Sequence, residues 1–249
     1  MANDEVILET IDLDKSFGAV HAVRSVSWKV YSGRVNALVG DNGAGKSTLI
    51  KLISGALQPN AGGFRVRGQE TRIGGPAGAF GLGIAAVYQD LALVENRDVV
   101  MNMFLGSELT RGPGQIFLDH KAMLRQAHQV LDDIHARIPN VREMVRNLSG
   151  GQRQAVAVGR ALIRGGEIII MDEPTAALGV EQTQEVLQLI DTLRSQGKTI
   201  ILISHNIQQV FQIADYISVM FHGDLLGTRA RDEATEAEVV AMIMGKRSP

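Results

Sequence analysis

The sequence predicts an α/β fold, a parallel sheet with helices on both faces and a helical insertion. Three observations carry this. A short apolar run, Val35–Val39, leads into a glycine-rich stretch and then into a helical segment. After about residue 159, strand-like and helical segments alternate, the pattern of a parallel sheet. Between about 95 and 158, strand signals vanish and apolar residues take helical spacing. With 249 residues, 45 % hydrophobic and 21 % charged, the chain can form one large domain or a domain with a subdomain.

Val6–Ile11 alternates weakly and suits a strand. Val26, Trp28 and Val30 share one face of a second strand, with Trp28 in the core. Ser32 and Gly33 turn the chain into Val35–Val39. Lys46–Ser54 reads as a helix stopped by Gly55. Residues 60–83 are rich in glycine, with turns expected around Phe64-Arg65-Val66, before the apolar strand Ile84–Tyr88. In the helical stretch Met123, Ala127, Val130, Leu131 and Ile134 keep one face, and Arg111-Gly112-Pro113-Gly114 punctuates it. Met101, Met103, Phe104 and Leu105 read as packing or as a docking surface. Strands are then expected at Ile168–Asp172, Thr199–Ser204 and Ile217–Phe221, and helices near 181–195, 206–213 and 232–244. No internal repeat, linker or low-complexity tract is visible.

Composition narrows the function. Net charge is −2 and no run of five like charges occurs, so there is no electrostatic footprint for nucleic acid. The absence of cysteine excludes disulfides and thiolate metal sites and suits a reducing cytosol. The acidic start Met1-Ala2-Asn3-Asp4-Glu5 does not read as a signal peptide. Apolar runs are strand-sized, short of the ~20 residues that span a bilayer. Work at a membrane would require docking to another protein.

Residues Gly40-Asp41-Asn42-Gly43-Ala44-Gly45-Lys46-Ser47-Thr48 fit G-x-x-x-x-G-K-[ST]. Glycines there let several backbone N–H groups converge on phosphate oxygens, and the helix after them adds its positive end. Lys46 would reach the β- and γ-phosphates and Ser47 would ligate Mg²⁺. A chance match is the alternative; the strand before the loop and the helix after it argue against it. Asp172 and Glu173 end the apolar run Ile168–Met171, where open α/β sheets place ligands. Asp172 suits Mg²⁺, and Glu173 suits polarising an attacking water. Two solvated acids would be an even reading in isolation; the phosphate loop argues against it. Ser149-Gly150-Gly151 opens a helix through Val156, Gly159 and Leu162, either a second anion site or an ordinary cap.

Leu148-Ser149-Gly150-Gly151-Gln152, after the phosphate loop and before Asp172-Glu173, resembles the signature of the ATP-binding cassette (ABC) ATPases. The resemblance covers essentially the whole chain. It implies a P-loop NTPase (RecA-like) parallel-sheet core with an N-terminal antiparallel β subdomain, in residues 1–94 and 159–249. Residues 95–158 would be an inserted helical signature subdomain. It implies ATP bound by Phe17 and by Gly40, Asp41, Asn42, Gly43, Ala44, Gly45, Lys46, Ser47 and Thr48. Ser149, Gly150, Gly151 and Gln152 would face ATP on a second cassette across a two-fold axis. Glu173, His205 and Gln89 would be catalytic, and Ser47, Gln89 and Asp172 would hold Mg²⁺. Phe17 matches the aromatic that stacks on adenine, where the family often has Tyr; a core Phe is the other reading. Gln89 could also be a plain loop glutamine. His205 resembles the switch histidine, whereas His21, His120, His128, His135 and His222 have no such context. Gly179 stands where most ABC ATPases have an Asp that helps couple the two sites.

Val87-Tyr88-Gln89-Asp90-Leu91-Ala92-Leu93, Asn102–Gly106, Asp172–Gly179 and Ile203-Ser204-His205-Asn206 are similar to the ATP-binding subunits of bacterial monosaccharide importers for ribose, xylose or fructose. In that group a Gly at 179 is common. A single cassette of this type implies a second cassette as partner, expected to be an identical copy. It also implies a transmembrane permease, a periplasmic sugar-binding protein acting indirectly, and a peripheral position on the cytoplasmic face of the inner membrane. Nucleic acid is not expected. The competing readings are an exporter subunit or a soluble ABC ATPase acting on ribosomes or DNA. The latter usually carries two cassettes, long coiled-coil insertions or basic arms.

Overall fold

The chain enters through two long antiparallel strands, β1 (Val6–Phe17) and β2 (Val20–Tyr31), and then β3 (Val35–Val39). Next come helix α1 (Lys46–Ile53), strands β4 (Ala61–Val66) and β5 (Gln69–Thr71), helix α2 (Pro76–Gly81) and strand β6 (Ile84–Val87). The middle of the chain holds α3 (Val99–Met103), a short hairpin of β7 (Thr110–Arg111) and β8 (Phe117–Leu118), α4 (His120–Asp133) and α5 (Gly150–Ile163). It closes with β9 (Ile168–Asp172), α6 (Val180–Ser195), β10 (Thr199–Ile203), α7 (Ile207–Ile213), β11 (Tyr216–Phe221), β12 (Asp224–Ala230) and α8 (Glu236–Ile243). This computed structural model describes residues 5–112, 114 and 116–246; Met1-Ala2-Asn3-Asp4 and Pro113 lie outside the described residues.

Two sheets form. One is antiparallel, in the order β2-β1-β4-β5; the other runs β12-β11-β3-β10-β9-β6. In the second sheet only the β11–β12 pair is antiparallel. Its central strands are apolar on both faces, so both faces need cover. Ile169 and Met171 of β9 point into a cluster with α3 to α8. Ile168 and Ile170 point the other way, into a cluster with α1 and the antiparallel sheet. Helix α1 is thus sandwiched: Leu49, Ile50, Leu52 and Ile53 are fully buried between the two sheets. The α/β expectation holds, the N-terminal antiparallel β layer included. One face is covered by α1, α2 and a second sheet rather than by crossover helices alone.

Several local expectations need correcting. Phe64-Arg65-Val66 is not a turn but the end of β4, with Phe64 and Val66 buried. Gly62 marks a bulge there: a Cβ would sit 2.3 Å from the Asp12 carbonyl, at a register shift between β1 and β4. Strand pairing does occur between 95 and 158, in the β7–β8 hairpin. The last helix begins at Glu236, after a 3₁₀ turn at Arg231–Glu233 and a capping box of Thr235 with Glu238. Strand β12 is absent from the expected strands, because its half-buried residues do not alternate. Met103 and Phe104 are core residues; Leu105 is partly exposed. Among the described residues no helix is long and apolar enough to cross a membrane.

Trp28 ties the two sheets together. It is buried, and its Nε1 donates to Ser218 Oγ at 2.7 Å; that hydroxyl also bonds Thr228 Oγ1 at 2.8 Å. Trp28→Phe is expected to cost about 2 kcal/mol through lost volume and a lost buried hydrogen bond. Urea unfolding monitored by circular dichroism checks this, since Trp28 is the only tryptophan.

Candidate functional site

The glycine loop leaves β3 and runs into α1, as its sequence demands. Gly40 (φ 154°) and Gly45 (φ 103°) adopt backbones open to glycine. A Cβ at either would lie 2.3 Å from a carbonyl oxygen, that of Met220 for Gly40 and of Ala22 for Gly45. The loop is therefore pressed between the ends of β11 and β2. Two further bonds hold it there: Gly223 N–H donates to the Ala44 carbonyl (2.9 Å) and Arg24 N–H to the Gly223 carbonyl (2.9 Å). Gly45 begins α1 without a side-chain cap. The first N–H groups of α1 thus lack intrahelical acceptors where they meet the cavity wall.

The cavity has a volume of about 500 Å³. Residues 42–48 form one wall; Gln89, Asp172 and Glu173 form another. The Lys46 ammonium is buried and donates to the Gly40 (2.8 Å) and Asp41 (3.0 Å) carbonyls. Burial lowers its pKa, opposed by the charges of Glu173, Asp172 and Asp41. Asp172 is pushed up, by burial first and then by Glu173, against the pull of Lys46 and Lys51. Opposite charges thus share the cavity, Lys46 on one wall and Asp172 with Glu173 on another.

Glu173 has a left-handed backbone (φ 50°), rare for a residue with a side chain. Its N–H donates to the Ile203 carbonyl (3.0 Å) and its carbonyl accepts from Ala176 (3.1 Å), which hold the turn. The turn aims the carboxylate at the cavity edge, where Oε2 lies 2.8 Å from His205 Nδ1. A carboxylate only accepts, so Nδ1–H donates. His205 is 68 % exposed and reaches the cavity through Glu173 rather than lining it.

The remaining sequence-derived candidates separate into groups. Ser47 and Thr48 line the cavity. Phe17 ends β1 and is 47 % exposed, which excludes the core reading; it does not line the cavity, although Val20, its pairing partner, does. Ser149 caps α5 by accepting from Gln152 N (3.2 Å), and Gln152 Oε1 accepts from Ser149 N (2.9 Å). None of Ser149, Gly150, Gly151 or Gln152 lines the phosphate-loop cavity. Gly150 borders a second cavity with Gln89, Glu173 and Leu178; Gly151 and Gln152 border a third with Arg137 and Glu185. Sequence reasoning missed His21, Arg24 and His222, all at the first cavity. His21 Nε2 lies 2.6 Å from Asp14 Oδ2. No sequence signal separated these histidines from the others, because β2 and the β11–β12 turn bring them in from distant parts of the chain.

Chemically, the arrangement suits a polyanion with a divalent cation beside it. Glycines that a Cβ would abolish, an ammonium and a free helix start suit phosphate. Among the described residues no cluster of three or more His, Cys, Asp or Glu could cage a metal. One hydroxyl (Ser47), one carboxylate (Asp172) and one amide (Gln89) suit Mg²⁺, which takes few protein ligands and completes its shell with phosphate and water.

Comparison with known proteins agrees. The ABC transporter family profile matches residues 23–176. The chain belongs to the ABC transporter family. It is 43 % identical to a xylose/arabinose import ATP-binding protein of Sulfolobus acidocaldarius, over 95 % of this chain and 93 % of that one. It is 42 % identical to a fructose import ATP-binding protein of Rhizobium meliloti, over 98 % and 96 %. A ribose import ATP-binding protein of Escherichia coli O157:H7 is 38 % identical; 98 % of the chain aligns, spanning 47 % of that protein. Two solved ATP-binding cassettes of ABC transporters share the fold. One is nucleotide-free (TM-score 0.82, 25 % identity, 97 % and 96 % covered) and one is in an ADP conformation (0.83, 26 %, 96 % and 95 %). This ABC cassette is an ATPase, built on a parallel-sheet core with an antiparallel β layer.

Within the cassette, Gly179 is not a glycine by necessity. It caps α6 with an extended backbone (φ −69°, ψ 170°), makes no side-chain cap bond, and a Cβ there would meet nothing within 4 Å. Gly179→Asp should therefore fit and cap α6, raising stability by about 0.5 kcal/mol through the cap and the helix dipole. A urea midpoint below that of the parent protein would contradict this.

Proposed function

We propose that this cassette is the ATP-binding and ATP-hydrolysing subunit that powers an importer of a monosaccharide such as fructose, ribose or xylose. The observation that carries it is the likeness to xylose/arabinose and fructose import ATP-binding proteins along almost their whole length. The exporter and ribosome or DNA readings find no such support.

In this reading residues 40–48 bind the phosphates of ATP, and Phe17 offers its exposed ring to adenine. Lys46 exchanges the carbonyls of Gly40 and Asp41 for phosphate oxygens. Ser47, Asp172 and Gln89 hold Mg²⁺, which when bound neutralises phosphate charge and polarises the γ-phosphoryl group. Glu173 orients and polarises the attacking water. His205, hydrogen-bonded to that carboxylate, fixes its direction. Hydrolysis then consists of positioning and charge stabilisation by groups already in place.

A second copy of the chain, related by a two-fold axis, would bring its Ser149, Gly150, Gly151 and Gln152 to this site. The separation of the two helix starts into different cavities of one chain supports that arrangement. The helical subdomain expected at 95–158, carrying with it the whole of α5 to Ile163, would then move as a unit against the rest of the chain. It would push on a membrane permease from the cytoplasmic face, with a periplasmic sugar-binding protein on the far side.

Two variants test the chemistry. Glu173→Gln should bind Mg-ATP, lose turnover by at least about 100-fold and accumulate as a dimer in light scattering. Lys46→Ala should lose ATP affinity in calorimetry; retained affinity would undo the phosphate-loop assignment. For transport, capture with Glu173→Gln and Mg-ATP from solubilised native membranes should yield a multi-spanning permease. Ribosomal or nucleic-acid partners would overturn the transport reading and leave the ATPase standing.

A further inference from the structure

Arg160 lies on α5, about three turns beyond Gly150. Its guanidinium forks onto two main-chain carbonyls, that of Leu91 at 2.7 Å and that of Ala92 at 2.8 Å. Both belong to the loop that carries Gln89. Ala92 has a left-handed backbone (φ 47°) and its N–H donates to Asp90 Oδ1 (3.1 Å), so the Arg160 fork adds to a hold the loop already has from within. Arg160 is half-buried, and burial, then the neighbouring Arg164, disfavours its charge. A charge kept in such a place against that cost, with its fork aimed at main chain, acts as a clamp.

The other end of the loop is anchored elsewhere. Tyr88, next to Gln89, bonds through its hydroxyl to Ser54 Oγ at 2.7 Å, at the C-terminal end of α1. Gln89 itself is exposed and belongs to no strand. It is suspended between α1, which bears Lys46 and Ser47, and α5, which bears the signature at its start.

We infer that Arg160 is a positioning residue that clamps the Gln89 loop to α5, so that the place of Gln89 in the cavity depends on where the start of α5 stands. This rests on the reading of Gln89 as a site residue. A helix transmits displacement along its axis, and a two-pronged guanidinium fixes both the position and the orientation of the peptides it grips. Movement of Gly150 and Gly151 toward a partner's phosphate would thus draw Gln89 with it.

The test is a double-mutant cycle on the full chain. Steady-state kcat and KM for ATP, and thermal unfolding, are measured for Arg160→Met, Gln89→Ala and the pair. Arg164→Met, which removes the neighbouring grip on the Leu105 carbonyl, is the control for general damage to α5. Arg160→Met should lower kcat about ten- to a hundred-fold with KM little changed, as for a misplaced catalytic group. In the Gln89→Ala background the same substitution should add nothing, whereas Arg164→Met should act independently of Gln89. Should Arg160→Met fail to fold, Arg160→Lys, with one donor point in place of the fork, should show a smaller loss with the same non-additivity. Effects of Arg160 and Gln89 that multiply, or an unchanged kcat in folded Arg160→Met, overturn the clamp. Wild-type turnover in Gln89→Ala would instead overturn the reading of Gln89 beneath it.

Discussion

Parallel pairing among β3, β10, β9 and β6 is the constraint on which the site depends. Ile203 pairs with Leu38 on one side and Asp172 on the other, and Val87 pairs with Met171. The strands therefore finish level. The glycine loop leaves β3, Glu173 leaves β9, His205 leaves β10 and Gln89 leaves β6, so all four emerge along one edge. In an open α/β sheet that edge is where ligands sit. A one-residue slip of β9 against β10 would bury Asp172 and withdraw Glu173 from Ile203, whose carbonyl holds its turn.

Strain and burial are concentrated at the same edge. Gly40 and Gly45 press closely on other backbone segments, Glu173 holds a left-handed conformation, and Lys46 and Asp172 share partly dry surroundings. Each of these costs free energy by itself. Together they restrain the loop and the carboxylates, the preorganisation that the proposed phosphate site requires.

The sequence made the chemistry more legible than the packing. The glycine loop, Asp172-Glu173 and the signature were readable because each needs residue types that few other structures tolerate in that order. Strands β3, β9 and β10 were readable because burial on both faces demands continuous apolar runs. Strand β4 was not, since its glycines serve a bulge and resemble a turn. Strand β12 was missed because an edge strand needs no alternation. His21 and His222 reach the cavity through long-range packing, and nothing local marks them. Arg160 looks in the sequence like any surface arginine of an amphipathic helix. Only its two carbonyl acceptors, nearly seventy residues away in the chain, reveal its role.

The central sheet also separates two packing environments. Ile169 packs among helices, while Ile170, its covalent neighbour, packs against α1 and the antiparallel layer. A substitution at one is compensated by a different set of residues from a substitution at the other. Drift on the two sides of the sheet can therefore proceed separately, with helices repacking in one lineage while the antiparallel layer is preserved. Residues adjacent in the chain would then co-vary less with each other than with partners far along it.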